Sequence, residues 1–74
     1  MHALELHALE DGFELRGEPL VKPMVFHGDD SHPAIQMARF LCQIEDGELR
    51  IFDADGELIE TRHLPSLRSS PGAV

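Results

Sequence analysis

Apolar and polar residues alternate over residues 3–9, with Leu4, Leu6 and Ala8 in one set and Glu5 and His7 in the other. A period of two predicts a strand. The composition pulls toward helix, because Ala, Leu and Glu are strong helix formers and no β-branched residue interrupts them. The downstream segment favours the strand. With Leu9-Glu10-Asp11-Gly12 as a four-residue loop, Leu6 faces Leu15, Ala8 faces Phe13 and Glu5 faces Arg16. Two apolar pairs and one charge pair then share a register, as cross-strand pairing rewards. Gly17 and Pro19 close the second strand. Residues 20–27 read as a third, irregular strand. Pro23 cannot donate a ladder hydrogen bond and places that run at a sheet edge or a strand start.

The period changes after His27. Gly28-Asp29-Asp30-Ser31-His32-Pro33 is a loop leading into a helix over residues 34–44. Asp30 or Ser31 is the expected cap, and Pro33 suits the first turn, where its missing N–H is not needed. Asp46-Gly47 is the expected left-handed C-cap. Only Gln36, Arg39 and Gln43 are strongly polar on this helix. Its apolar arc exceeds the stripe of roughly 100° that one sheet contact requires. Phe40, with Met37 or Ile44, therefore calls for a second neighbour: the first hairpin, the tail or another subunit.

Two more strands follow. With Ala54-Asp55-Gly56 as a three-residue loop and Gly56 at positive φ, Phe52 faces Leu58, Ile51 faces Ile59, Arg50 faces Glu60 and Leu49 faces Thr61. The predicted fold is α+β: a small antiparallel sheet in the order ββ(β)αββ, with one helix packed on one face. Residues 1–64 form a single domain, and residues 65–74, rich in Pro, Ser and Gly, form a disordered tail.

Size changes the picture. The chain has 74 residues and one cysteine, Cys42, so an intramolecular disulfide is excluded. A core of this size rarely supplies more than ~3–5 kcal/mol unaided, which makes oligomerisation the readiest support. The net charge is −8, with Lys22 the only lysine and the arginines scattered. A nucleic-acid surface needs clustered cations, so nucleic acid is not an expected partner. No apolar run is long enough to span a membrane and no signal peptide opens the chain, so a cytoplasmic location is expected.

The helix carries Ala34-x-x-x-Ala38-Arg39. It is followed by Gly47, Leu49, Ile51, Asp55-Gly56, Leu58 and Glu60 at the spacing Gly-x-Leu-x-Ile-x-x-x-Asp-Gly-x-Leu-x-Glu. Over residues 12–63 this resembles a family of short bacterial proteins of unknown function with a ββαββ plan. Phe13 stands where such proteins often carry Trp. The resemblance implies a fold and no activity, and it transfers no functional residue.

The richest polar cluster is His27, Asp29, Asp30 and His32, two imidazoles and two carboxylates of the types that ligate transition metals. A helix N-terminal loop ordinarily has this composition for capping alone, and that reading is preferred. Asp53-Ala54-Asp55-Gly56 is similar to part of a calcium loop. An EF-hand frame, however, would need acidic ligands at Ile51 and Arg62. Cys42 has no adjacent base or cation to activate it and reads as a small buried hydrophobe. No catalytic residue and no cofactor is expected.

The preferred reading is a non-enzymatic interaction module that self-associates, as a homodimer or on another protein. Its interface candidates are Met37, Phe40 and Ile44 on the helix, with Phe52 and Leu58 on the open sheet face; Leu64 is a further residue expected there. An acidic inhibitor or antitoxin-like protein that masks a basic partner is the alternative. A metal-assisted enzyme using the His27–His32 loop is a remote third.

Overall fold

A computed structural model describes residues 1–67. Its elements are β1 (His2–Leu9), β2 (Gly12–Gly17), β3 (Met24–His27), α1 (His32–Leu41), β4 (Gly47–Phe52) and β5 (Leu58–Leu64). The fold is α+β. The five strands form one sheet in the order β3-β2-β1-β4-β5, with α1 against one face. Three seams are antiparallel, whereas β1 and β4 run parallel, so the sheet is mixed. The parallel seam follows from the connection: β2, β3 and α1 return the chain to the starting end of β1 before β4 begins.

The first hairpin takes the register its side chains favour. Leu6 pairs with Leu15, Ala8 with Phe13 and Glu5 with Arg16. The ladder runs to Leu9 and Gly12, so only Glu10 and Asp11 form the turn. The third strand is shorter than residues 20–27 and begins immediately after Pro23, at the outer edge of the sheet. Its Phe26 and Met24 lie opposite Phe13 and Leu15 and extend the apolar layer.

The core sits between α1 and the centre of the sheet. Leu4, Leu6, Leu15 and Leu49 are buried beneath Ala34, Ile35, Ala38 and Cys42 of the helix and its cap. The helix begins at His32, whose N–H donates to Asp30 Oδ1 at 2.9 Å. It stops three residues earlier than the apolar pattern predicts. Cys42 N–H is shared between the carbonyls of Ala38 and Arg39, and Gln43 N–H turns to Phe40. Cys42, and not Asp46-Gly47, is thus the C-cap. Gly47 belongs to β4 and has no positive φ. Its lack of a side chain serves packing: a Cβ there would overlap the Cys42 sulfur.

The second hairpin departs from its expected register. Phe52 does pair with Leu58, and the loop closes through Asp53 N–H to Glu57 O at 2.9 Å, with Gly56 at φ 84°. Beyond that pair Ile59 is an extra residue. Ile51 therefore meets Glu60, Leu49 meets Arg62 and Gly47 meets Leu64. The expected pairs Ile51–Ile59, Arg50–Glu60 and Leu49–Thr61 are not formed. A bulge of this kind reverses every later side chain relative to the expected pattern. It turns Leu64 into the core, where it is 4% exposed, and leaves Ile59 outside at 63%. Burying Leu64 over the side-chain-free site of Gly47 outweighs matching Ile51 with Ile59.

The chain after β5 is tied down over its first residues. Ser66 is buried and its N–H donates to Asp46 Oδ1 at 2.8 Å, while Leu67 N–H donates to Gln43 O at 3.0 Å. Both contacts reach the segment between α1 and β4; the rest of the expected tail, residues 68–74, lies outside the described residues.

Candidate functional site

The open face of the sheet is polar and internally paired. Strand alternation places Glu5, His7, Glu14, Arg16, Glu48, Arg50 and Phe52 on it. On each of three strands a carboxylate contacts a cation or imidazole two residues on: Glu5–His7 at 2.8 Å, Glu14–Arg16 at 3.3 Å and Glu48–Arg50 at 2.8 Å. The register also sets Glu5 between Arg16 and Arg50 on the neighbouring strands. Phe52 is covered by the His7 ring, stacked at 4.4 Å and 2°. This face is satisfied by its own ion pairs and solvent. Leu64, expected here, is on the other side of the sheet, and Leu58 is left as a half-exposed apolar residue.

The interface candidates consequently do not form one patch. Met37 packs against the core, Phe40 is 61% exposed on α1, and Ile44 lies beyond the helix at 74%. Phe52 and Leu58 sit across the sheet from them. The loop candidates are likewise dispersed. His27 ends the edge strand β3, Asp30 holds the start of α1, and Asp29 lines a separate shallow hollow beside the first turn. Among the described residues no three His, Cys, Asp or Glu side chains gather closely enough to hold a metal ion. Cys42 is fully buried, and that burial, followed by the carboxylates of Asp46 and Glu45, pushes its thiol pKa up. Such a setting suits packing and opposes nucleophilic attack.

The two sheet edges differ more than the two faces. Strand β3 has four residues and starts behind a proline, two ordinary devices for blunting an edge. Strand β5 has seven, and residues 58–61 are all exposed. On the helix side β5 presents Glu60 and Arg62, which pair with each other along the strand. The Glu60 carboxylate raises the Arg62 pKa above its ordinary value, first through that hydrogen bond and then through charge attraction. A groove of about 480 Å³ runs between this strand and α1. It is lined by Arg39 and Gln43 on and just after the helix and by Arg62, His63, Leu64, Pro65 and Leu67 on and just after β5. The groove exists because one helix, about 10 Å across, cannot cover five strands that span roughly 19 Å.

Arg39 forms no ion pair among the described residues, whereas Arg16, Arg50 and Arg62 each have a carboxylate partner. Arg39 thus sets a cation beside the groove in a chain of net charge −8. The sequence placed Glu60 opposite Arg50 and Arg39 on the polar side of the helix, and proposed Leu58 and Leu64 on this strand, but none of Glu60, Arg62 and Arg39, as interface residues. The available signal was Glu60-Thr61-Arg62, a tripeptide whose charges are opposite about its centre.

Set against protein-family models, curated proteins and solved structures, the chain matches none of them. No helix among the described residues is long and apolar enough to cross a membrane.

Proposed function

We propose that this chain is a non-enzymatic interaction module of the cytoplasm that self-associates. The observation that carries this reading is the β5 edge: seven residues, no neighbour on the outer side among the described residues, and exposed Leu58 and Ile59 at its start. An edge of that length presents unpaired backbone groups to any strand able to pair with it. The small core supplies the motive, since a second copy extends the sheet and adds buried area to a core of modest size. The resemblance to short bacterial proteins is compatible with such a role and adds no chemistry to it.

The alternative of an acidic protein masking a basic partner draws less support. Its clearest acidic surface would be the open sheet face, yet Glu5, Glu14 and Glu48 there already have partners. Partners are accordingly proteins, a second copy first among them. Sedimentation velocity across a concentration series tests the reading. A rise in weight-average mass toward the dimer is expected, and a monomer at every concentration rules it out.

A further inference from the structure

We infer that the second copy binds by pairing β5 against β5 in antiparallel fashion, centred on Thr61, so that Glu60 of each copy meets Arg62 of the other. This deepens the self-association reading and rests on it.

The geometry follows from the ladder. Glu60 and Arg62 share the helix side of the sheet, because their partners across the seam are Ile51 and Leu49. Two identical antiparallel strands with residue 61 on the dyad align 60 with 62 and 62 with 60. Both cross-strand pairs then unite opposite charges at the separation where such pairs stabilise a sheet, and Thr61 meets Thr61, another favourable pair. Moving the centre to residue 60 or 62 would set like charges opposite each other. The charges thus favour this register over its two neighbours, and it alone sets Glu60 against Arg62 at both pairs.

The same residues explain why the edge is not generally adhesive. Charged side chains pointing toward the core side of an edge strand discourage pairing with an arbitrary apolar strand. They admit a strand with the complementary order of charge, and this chain's own strand is one. The bulge at Ile59 limits regular pairing to the part of β5 beyond it.

A dyad through the edge must stand perpendicular to the sheet, since only that axis reverses strand direction in the plane. It keeps both helices on the same side. The grooves beside β5 then join into a single trough, walled by Arg39 and Gln43 of both copies. Glu60 of the second copy enters that trough beside Arg62, exchanging the Glu60–Arg62 pairing within each strand for one between the two copies.

The test uses the full chain in four forms: wild type, Glu60→Arg, Arg62→Glu, and the double exchange carrying both. All substituted positions are on an exposed edge, and circular dichroism checks that each variant keeps the fold. Sedimentation equilibrium is expected to show wild type and double exchange dimerising alike. Each single variant sets like charges opposite each other and weakens the dimer by at least about tenfold. An equimolar mixture of the two single variants recovers a heterodimer, because one then contributes two arginines and the other two glutamates. Thr61→Cys is a charge-independent check and forms a covalent dimer on mild oxidation, whereas Val25→Cys on the opposite edge does not.

Wild-type dimers with unaffected single variants would overturn this interface while leaving self-association in place. A mixture that fails to recover, or a Thr61→Cys chain that stays monomeric on oxidation, would overturn the register. A wild type that is monomeric throughout removes both the interface and the reading beneath it.

Discussion

The two hairpins of this protein obey different masters. In β1–β2 the register that matches neighbouring side chains is also the one that sends Leu4, Leu6 and Leu15 into the core. Local pairing and global burial agree, and the hairpin is regular. In β4–β5 they conflict. Matching Ile51 with Ile59 would leave Leu64 on the solvent side; the observed bulge abandons that match and buries Leu64 opposite Gly47. Cross-strand preferences of about 0.2–1 kcal/mol per pair yield to burial of a whole leucine, worth roughly 1.5–3 kcal/mol.

Single-residue deletions probe this contrast with the largest expected effect. Removing Glu14 from the regular hairpin shifts Arg16 toward the place of Leu15, reversing the strand's faces. The expected cost exceeds the ~3–5 kcal/mol that a core of this size supplies, so cooperative unfolding should disappear. Removing Ile59 deletes the extra residue of the bulge and leaves Leu64 opposite Gly47, so thermal unfolding should remain cooperative. If both deletions unfold the chain, the bulge is not the device that sets the second register.

Truncations sharpen the same point on a smaller scale. Leu64→Ala should cost about 2–5 kcal/mol in urea unfolding, as a buried leucine does. Leu58→Ala, half-exposed at the start of the same strand, should stay within about 0.5 kcal/mol. Equal effects would mean that Leu64 does not occupy the core.

Gly47 tests why the second hairpin lies where it does. Gly47→Ala should destabilise by about 1–3 kcal/mol through overlap with Cys42. Most of that loss should vanish in a Cys42→Ala background, which removes the sulfur. An unchanged penalty in the double-mutant cycle would show that the two positions do not touch.

The smallest effect concerns the clamp between the hairpins. The Met1 ammonium contacts Glu45 at 2.7 Å, just before β4, and His2 N–H donates to Asp46 O at 2.8 Å. The hydrogen bond and charge of the ammonium lower the Glu45 pKa, and Glu45 in the same two ways raises that of the ammonium. The Glu45 contribution is therefore present above its unfolded pKa and lost as pH falls through the depressed folded value. The ammonium contribution is present below its unfolded pKa and lost as pH rises through the elevated one. Both groups are exposed, so the effect is small and salt-sensitive. Glu45→Gln should flatten both slopes in thermal midpoints measured at low salt, and leave those at high salt nearly unchanged.

Much of the site was written in residues whose meaning depends on the bulge. Glu60-Thr61-Arg62 is visible as a charge-opposed tripeptide. Its two charges share a side through the strand's period of two, the extra residue at Ile59 turns that side toward α1, and the uncovered groove beside them comes from the width of the sheet. His27, Asp29, Asp30 and His32 show the reverse: close in sequence, they are pulled apart because a strand ends at one and a helix starts at another.

By itself the sequence determined the kinds and order of the elements, the register of the first hairpin, the confinement of Pro23 to a sheet edge or a strand start and the positive φ of Gly56. Each of these depends on contacts between near neighbours or on a backbone restriction of one residue. Tertiary structure alone decided the parallel β1–β4 seam, the early stop of α1, the inward turn of Leu64 and the tether at Ser66. These depend on which distant surface offers space, as Gly47 does to Cys42 and Leu64, and a period along the chain carries no record of empty space across it.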